Sequence, residues 1–182
     1  IPLLAESMPK IENEGTKYTI KIKKNIQYHT NDAFKGKPRF VKARDFINQI
    51  KRLAFIPMRS NGWWLFDGRI VGINEFRDSV GFDYEKMKAT NIKGLTAPDE
   101  HTLVIELTKP YPQMINALAM SFTSPIPTEA LDFYNNALDN QVIGTGPYKL
   151  DSWTRASKLS MSQWKNYHKS FYPAQGDRMA HG

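Results

Sequence analysis

The sequence predicts an α+β fold in which antiparallel strands are flanked by helices. Three observations carry this reading: strict apolar alternation over residues 17–22, a single apolar helical stripe over residues 41–53, and paired strand-like runs separated by turn residues further along.

Taken in order, Tyr18, Ile20 and Ile22 fall on one face of the first segment, and Lys17, Thr19 and Lys21 on the other, which is the period of a half-buried strand. Residues 25–28 extend it after a turn. Residues 30–38 are polar and rich in breakers, so a surface loop is expected. In residues 41–53, Ala43, Phe46, Ile47, Ile50 and Leu53 form one helical face, and Arg44, Asn48, Gln49 and Lys51 form the opposite, solvated one. Lys42 and Phe40 are poor N-caps, so the first turn of this helix is expected to be irregular.

Residues 55–72 are rich in aromatics and glycine, with Trp63, Trp64 and Phe66 between Gly62 and Gly68, and residues 72–78 suit a short basic helix. Residues 91–95 and 102–107 read as two strands joined by a long turn. A helical face returns with Met114, Ile115, Leu118 and Ala119 and ends at Ser124-Pro125-Ile126-Pro127. Thr128 is placed to cap a helix over residues 129–138. The run Gly144-Thr145-Gly146-Pro147 implies a special backbone geometry leading into a strand at Tyr148, and residues 150–161 suggest a second hairpin. Residues 165–182 lack any period and are expected to be a weakly held tail.

Composition narrows the function classes. With 182 residues, 41% of them hydrophobic and 12% aromatic, the chain can bury a core, and no run approaches the length of a membrane helix. Cysteine is absent, which excludes disulfides and thiolate metal sites. The net charge of +7 raises the question of nucleic acid, yet the cations are spread over a strand and a helix, without an arginine-rich tract interleaved with aromatics. No nucleic-acid partner is expected.

Catalytic and metal motifs are missing as well. His29, His101, His168 and His181 are dispersed, so no metal site is expected. Ser7-Met8-Pro9-Lys10 has a Ser-x-x-Lys spacing, but Pro9 obstructs the helical turn that chemistry needs. Gly144-Thr145-Gly146 is too short for a dinucleotide loop and precedes a strand. No nucleophile, base and oxyanion donor assemble, and neither an enzyme nor a cofactor is expected. Trp63 and Trp64 are the candidate ligand-binding residues, because two adjacent indoles on an extended segment cannot both enter one core. The plainer reading has one packed beneath the loop and the other on the surface.

The ordered segments Leu4-Ala5-Glu6-Ser7, Tyr18-Thr19-Ile20-Lys21-Ile22, Ala43-Arg44-Asp45-Phe46-Ile47, Thr102-Leu103-Val104-Ile105-Glu106, Ser124-Pro125-Ile126-Pro127 and Val142-Ile143-Gly144-Thr145-Gly146-Pro147-Tyr148-Lys149-Leu150 resemble the extracellular solute-binding proteins of peptide and nickel ABC transporters, family 5. The chain departs from the family pattern at Lys42, where a threonine N-cap is usual, at Met8, where a tryptophan is usual, and in the turn after His29, which lacks Asp-Gly.

The resemblance implies a type-II periplasmic binding protein. It assigns residues 1–143 to the small subdomain of lobe one, residues 144–167 to a hairpin of the main subdomain, and residues 168–182 to a weakly ordered tail. Family members are much longer, so the chain is expected to be an internal piece that lacks most of the ligand site. The implied role is capture of a peptide between two lobes, outside the cytoplasmic membrane, with delivery to a membrane permease. Lobe closure about a hinge would couple the ligand to that delivery. The receptor would be periplasmic or extracellular, free or lipid-anchored. A receptor for an oligosaccharide or a metal chelate is the alternative within the family, and a basic adaptor domain binding anionic partners is the alternative outside it.

Overall fold

The computed structural model describes residues 2–138 and 141–168. Strands β1 (Lys10–Glu12), β2 (Lys17–Lys21), β3 (Leu95–Asp99) and β4 (Thr102–Glu106) form one antiparallel sheet in the order β1-β2-β4-β3. Between β2 and β3 the chain makes α1 (Ala43–Ala54), α2 (Ile73–Val80) and α3 (Tyr84–Ala89). After β4 come α4 (Met114–Leu118), α5 (Thr128–Phe133) and a separate two-stranded hairpin of β5 (Tyr148–Thr154) and β6 (Lys158–Gln163). The class is α+β, as the sequence predicts.

The core follows from the strand period. Tyr18 and Ile20 of β2 stand opposite Ile105 and Leu103 of β4, and all four are buried in the cluster to which α1 adds Ala43, Ile47, Ile50 and Leu53. On the other face, the Lys21 ammonium donates to Thr102 Oγ1 at 2.6 Å, and the Thr102 hydroxyl donates to Asp99 at 2.7 Å. At Gly94 three backbone segments meet. Its N–H donates to Val71 O at 2.7 Å and its carbonyl accepts from the Glu106 N–H at 2.8 Å, while a Cβ there would lie 2.6 Å from Glu106 O. No side chain fits that junction.

Helix α1 is central. Nine of its residues are buried, including Asp45, Asn48, Lys51 and Arg52, so the polar face expected to be solvated is instead covered in large part. The cause is packing on both flanks by α3 and α5. Each covered polar side chain has a partner. Asn48 Nδ2 donates to Ile126 O at 3.1 Å and to Thr128 Oγ1 at 2.9 Å, and Gln49 Nε2 donates to Phe122 O at 2.7 Å. Lys51 Nζ donates to Lys88 O at 2.9 Å, and Arg52 Nε to Asn136 Oδ1 at 2.6 Å. Buried donors without such partners would each cost about 1–3 kcal/mol.

The start of α1 is held without a capping side chain at Lys42. Asp45 reaches back to accept from the Lys42 N–H at 2.9 Å, and the Ala43 N–H donates to Glu100 O in the β3–β4 turn at 2.8 Å. The Lys42 ammonium pairs with the Glu100 carboxylate in the same turn. Asp45 also accepts from Arg39 Nη2 at 2.7 Å and from the Tyr28 hydroxyl at 3.1 Å, and Arg39 Nε continues to Glu129 of α5 at 2.9 Å. Burial, with the Asp45 carboxylate beside it, holds the Tyr28 hydroxyl well above its ordinary range, so it stays a donor.

Several elements differ from expectation for local reasons. The 30–38 segment carries a 3₁₀ turn, Asp32–Phe34, whose Ala33 and Phe34 are buried and whose cap is the Asn31 carboxamide accepting from the Ala33 N–H. Strand β3 begins at Leu95 and runs to Asp99, so only Glu100 and His101 form the turn; Pro98 is accommodated at an irregularity on this edge strand. Helix α5 stops at Phe133 because Asn135 and Asn136 take positive φ, and Thr128 lies in its first turn and not at the cap. Strand β1 and helix α3 are not foreseen by the sequence reading. Most of the expected tail lies outside the described residues.

Replacing Asp45 by alanine is expected to lower stability by about 1–3 kcal/mol, since Tyr28 and the Lys42 N–H lose their acceptor while Arg39 keeps only Glu129; a loss under ~1 kcal/mol in urea denaturation would show the network to be dispensable. A second expectation concerns pH. Burial, with Arg44 nearby, pulls the Lys51 ammonium from its ordinary 10.5 to about 8. The unfolded chain therefore holds more protons between those two values, and stability rises with pH across that window by at most about 3 kcal/mol. In dilute buffer, Lys51→Met should flatten that rise; unchanged pH profiles would remove Lys51 as its source.

Candidate functional site

The tryptophan pair sits on a 3₁₀ turn, Trp63–Leu65, entered through Gly62. A Cβ at Gly62 would lie 2.6 Å from the Phe122 ring, so glycine lets this loop close onto the segment after α4. Leu65 enters the core. Trp63 is half-buried against that core, and the Arg77 guanidinium lies 4.6 Å from its ring centroid. Arg77 is itself fixed by donating to Ala54 O at 2.6 Å, the last carbonyl of α1.

Among the described residues, no cation lies on the ring of Trp64, which is 55% exposed. Its backbone is held, because its carbonyl accepts from Arg69 Nη1, and Arg69 in turn lies 4.6 Å from the Tyr111 ring centroid. The pair therefore divides into a structural indole and a presented one. An exposed, backbone-anchored indole offers a flat apolar surface with one N–H donor.

The Gly144–Pro147 turn is held by His29. The His29 N–H donates to Gly144 O at 2.8 Å, and its Nε2 lies 2.8 Å from Gly146 O. A carbonyl only accepts, so Nε2 carries a proton and donates it to Gly146 O. His29 is buried, and the Trp164 ring packs edge-on at 5.5 Å. The backbone requirement expected of the two glycines is not met, because neither has a positive φ and a Cβ at Gly146 would meet nothing within 4 Å. The turn works through its carbonyls.

A third feature escapes the sequence reading. An apolar groove of about 520 Å³ runs between the N-terminal segment, the sheet and the region around α4, with Leu4, Met8, Ile22, Phe46, Ile115 and Met120 among its walls. None of its described lining residues is titratable, so it offers shape and apolar area, with Ser7, Asn116, Ser121, Thr123 and Ser124 as its polar side chains. Residues 2–5, Pro-Leu-Leu-Ala, line it without belonging to a regular helix or strand. Among the described residues, no cluster of three or more His, Asp or Glu could hold a metal ion, and no helix is long and apolar enough to cross a membrane.

The division of the tryptophans has a measurable outcome. Trp63→Ala should cost about 2–4 kcal/mol in chemical denaturation through lost packing, whereas Trp64→Ala should stay within about 0.5 kcal/mol of the parent chain. Equal losses would reject the distinction.

Comparison with known proteins completes the picture. The chain is similar to the glutathione-binding protein GsiB of Escherichia coli O1:K1, with 26% identity over 168 residues that cover 91% of this chain and 26% of that protein. It is similar to the dipeptide-binding protein of Escherichia coli K12, with 26% identity over 92% of this chain and 30% of that protein. It thus spans between about a quarter and a third of these relatives. In fold it is similar to the periplasmic oligopeptide-binding protein OppAIV of Borrelia burgdorferi, with a TM-score of 0.72 and 22% identity over 92% of this chain and 31% of that one. A sequence profile described as bacterial extracellular solute-binding proteins, family 5 Middle, matches residues 1–178. With nearly the whole chain inside that match, and the sheet and helices in the arrangement of a periplasmic binding protein, the chain belongs to the family 5 extracellular solute-binding proteins.

Proposed function

We propose that this chain is part of the substrate-binding component of an ABC importer, which captures peptides outside the cytoplasmic membrane and passes them to the permease. The family match over residues 1–178 carries the reading. Relatives named for glutathione and for dipeptides favour a peptide over an oligosaccharide or a metal chelate as the solute. A freestanding basic adaptor finds no support in the same relatives. The role calls for binding and release, not for catalysis.

Two structural observations support a partial site. The β5–β6 hairpin exposes Tyr148, Trp153, Leu159 and Met161, and an isolated two-stranded hairpin is marginal in water, which favours assigning residues 144–167 to a larger sheet and residues 1–143 to a subdomain of their own. The apolar groove has no charged group for the ends of a peptide. Ligand termini would be held by other parts of the full-length receptor, with the Trp64 ring as this chain's contact and Trp63 behind it.

Isothermal titration with a mixed peptide library tests both statements. The 182 residues alone should show no binding at micromolar affinity, and micromolar binding would overturn the claim of a partial site. The full-length protein should bind, and Trp64→Ala should weaken it roughly 5- to 30-fold, as for loss of about 1–2 kcal/mol of aromatic contact. A full-length protein that takes up no peptide would overturn the reading itself.

A further inference from the structure

The flank of α1 that faces α3 and α5 encloses a small cavity of about 70 Å³. Arg44, Asn48 and Lys51 line it from α1, Lys88 from α3 and Thr128 from α5, with apolar side chains closing the rest. Arg44, Asn48 and Lys51 are spaced four and three residues apart, so they share one face of the helix. Among the described residues, no carboxylate lines it.

The charges here are not balanced from within. Lys51 is only 2% exposed, and among the described residues its ammonium has one hydrogen-bond acceptor, Lys88 O at 2.9 Å, with the Phe76 ring centroid 5.8 Å away. Among the described residues, neither Lys51 nor Arg44 has a carboxylate within ion-pairing distance. Lys88 differs, because Glu85 at 3.0 Å and Asp132 at 3.1 Å pair with it. An ammonium has three protons to donate, and a buried cation without a counter-charge is expensive to hold.

We infer that this cavity is a binding site for a small inorganic oxyanion, sulfate or phosphate. Lys51 would hold it from the inner wall and Arg44 from the mouth. The Thr128 hydroxyl accepts from Asn48 Nδ2 at 2.9 Å and keeps its own proton to donate to the anion. Water could accept from Lys51 in the same space, but it would leave two cations facing one cavity without a counter-charge. The volume exceeds the roughly 10–15 Å³ that one water needs, leaving space for a tetrahedral ion. This site is independent of the peptide reading, since none of its residues belongs to the tryptophan loop or the apolar groove.

The test titrates sodium sulfate, and separately sodium phosphate, into the full chain at ionic strength held constant with sodium chloride, following thermal unfolding and amide chemical shifts. A saturable rise in Tm is expected, with shifts centred on Asn48, Lys51 and Thr128. Arg44→Gln replaces an exposed side chain, leaves the fold intact by circular dichroism, and should weaken the anion on the order of tenfold, as for loss of one charge-assisted contact. Lys51→Met should abolish the saturable part, and the Arg44 variant keeps the test decisive if Lys51→Met does not fold. A rise that does not saturate and is equal in parent and Arg44→Gln, or shifts centred elsewhere, would overturn the site.

Discussion

Asp45, Asn48, Gln49, Lys51 and Arg52 leave α1 in different directions, and each ends on a different part of the chain. They reach the 28–39 segment, the start of α5, the turn after α4, the last residues of α3, and the segment following α5. A helix packed on both flanks and over the sheet has no water for these groups, so the surrounding loops must bring carbonyls and carboxamides to them. Irregular segments are thereby fixed without secondary structure of their own. The apolar stripe of α1 sets where the helix lies, while its polar side chains decide how the rest is draped around it.

That division also explains what could be read in advance. Strand β2, helix α1, strand β4 and the β5–β6 hairpin each carry several turns or pleats of a clean period, and all four follow from the residues. Helix α3 has six residues with only Met87 buried, and β1 has three residues with none fully buried, so neither contains enough repeats to register. Covering of the polar face of α1 depends on α3 and α5, which are distant in sequence, and no local pattern in residues 41–53 records it. Thr128 was legible as a residue suited to a helix start, but its hydroxyl is used by Asn48, eighty positions away.

At the candidate site the sequence was informative about residue type and silent about geometry. Two adjacent indoles had to part company, and the structure separates Trp63, under Arg77, from Trp64, in solvent. Which would be which depended on the close approach of Gly62 to Phe122 and on Arg77 reaching back to α1. The usual N-cap threonine of the family is replaced by Lys42, and the helix start is held by Asp45, Glu100 and their neighbours instead. Capping has passed from one side chain to a network that ties the helix to the β3–β4 turn.

The pairing of β2 with β4 governs the order in which a growing chain can fold. Lys21 and Thr102, 81 positions apart, must meet before the central sheet has a second long strand. Such separations slow closure because loop entropy is lost before the contacts form. Until residues up to Glu106 are available, β2 has no β4 partner and its core face stays open to other chains. Sequence separation thus delays the closing of the early part of this chain until the residues of β4 can pair with it.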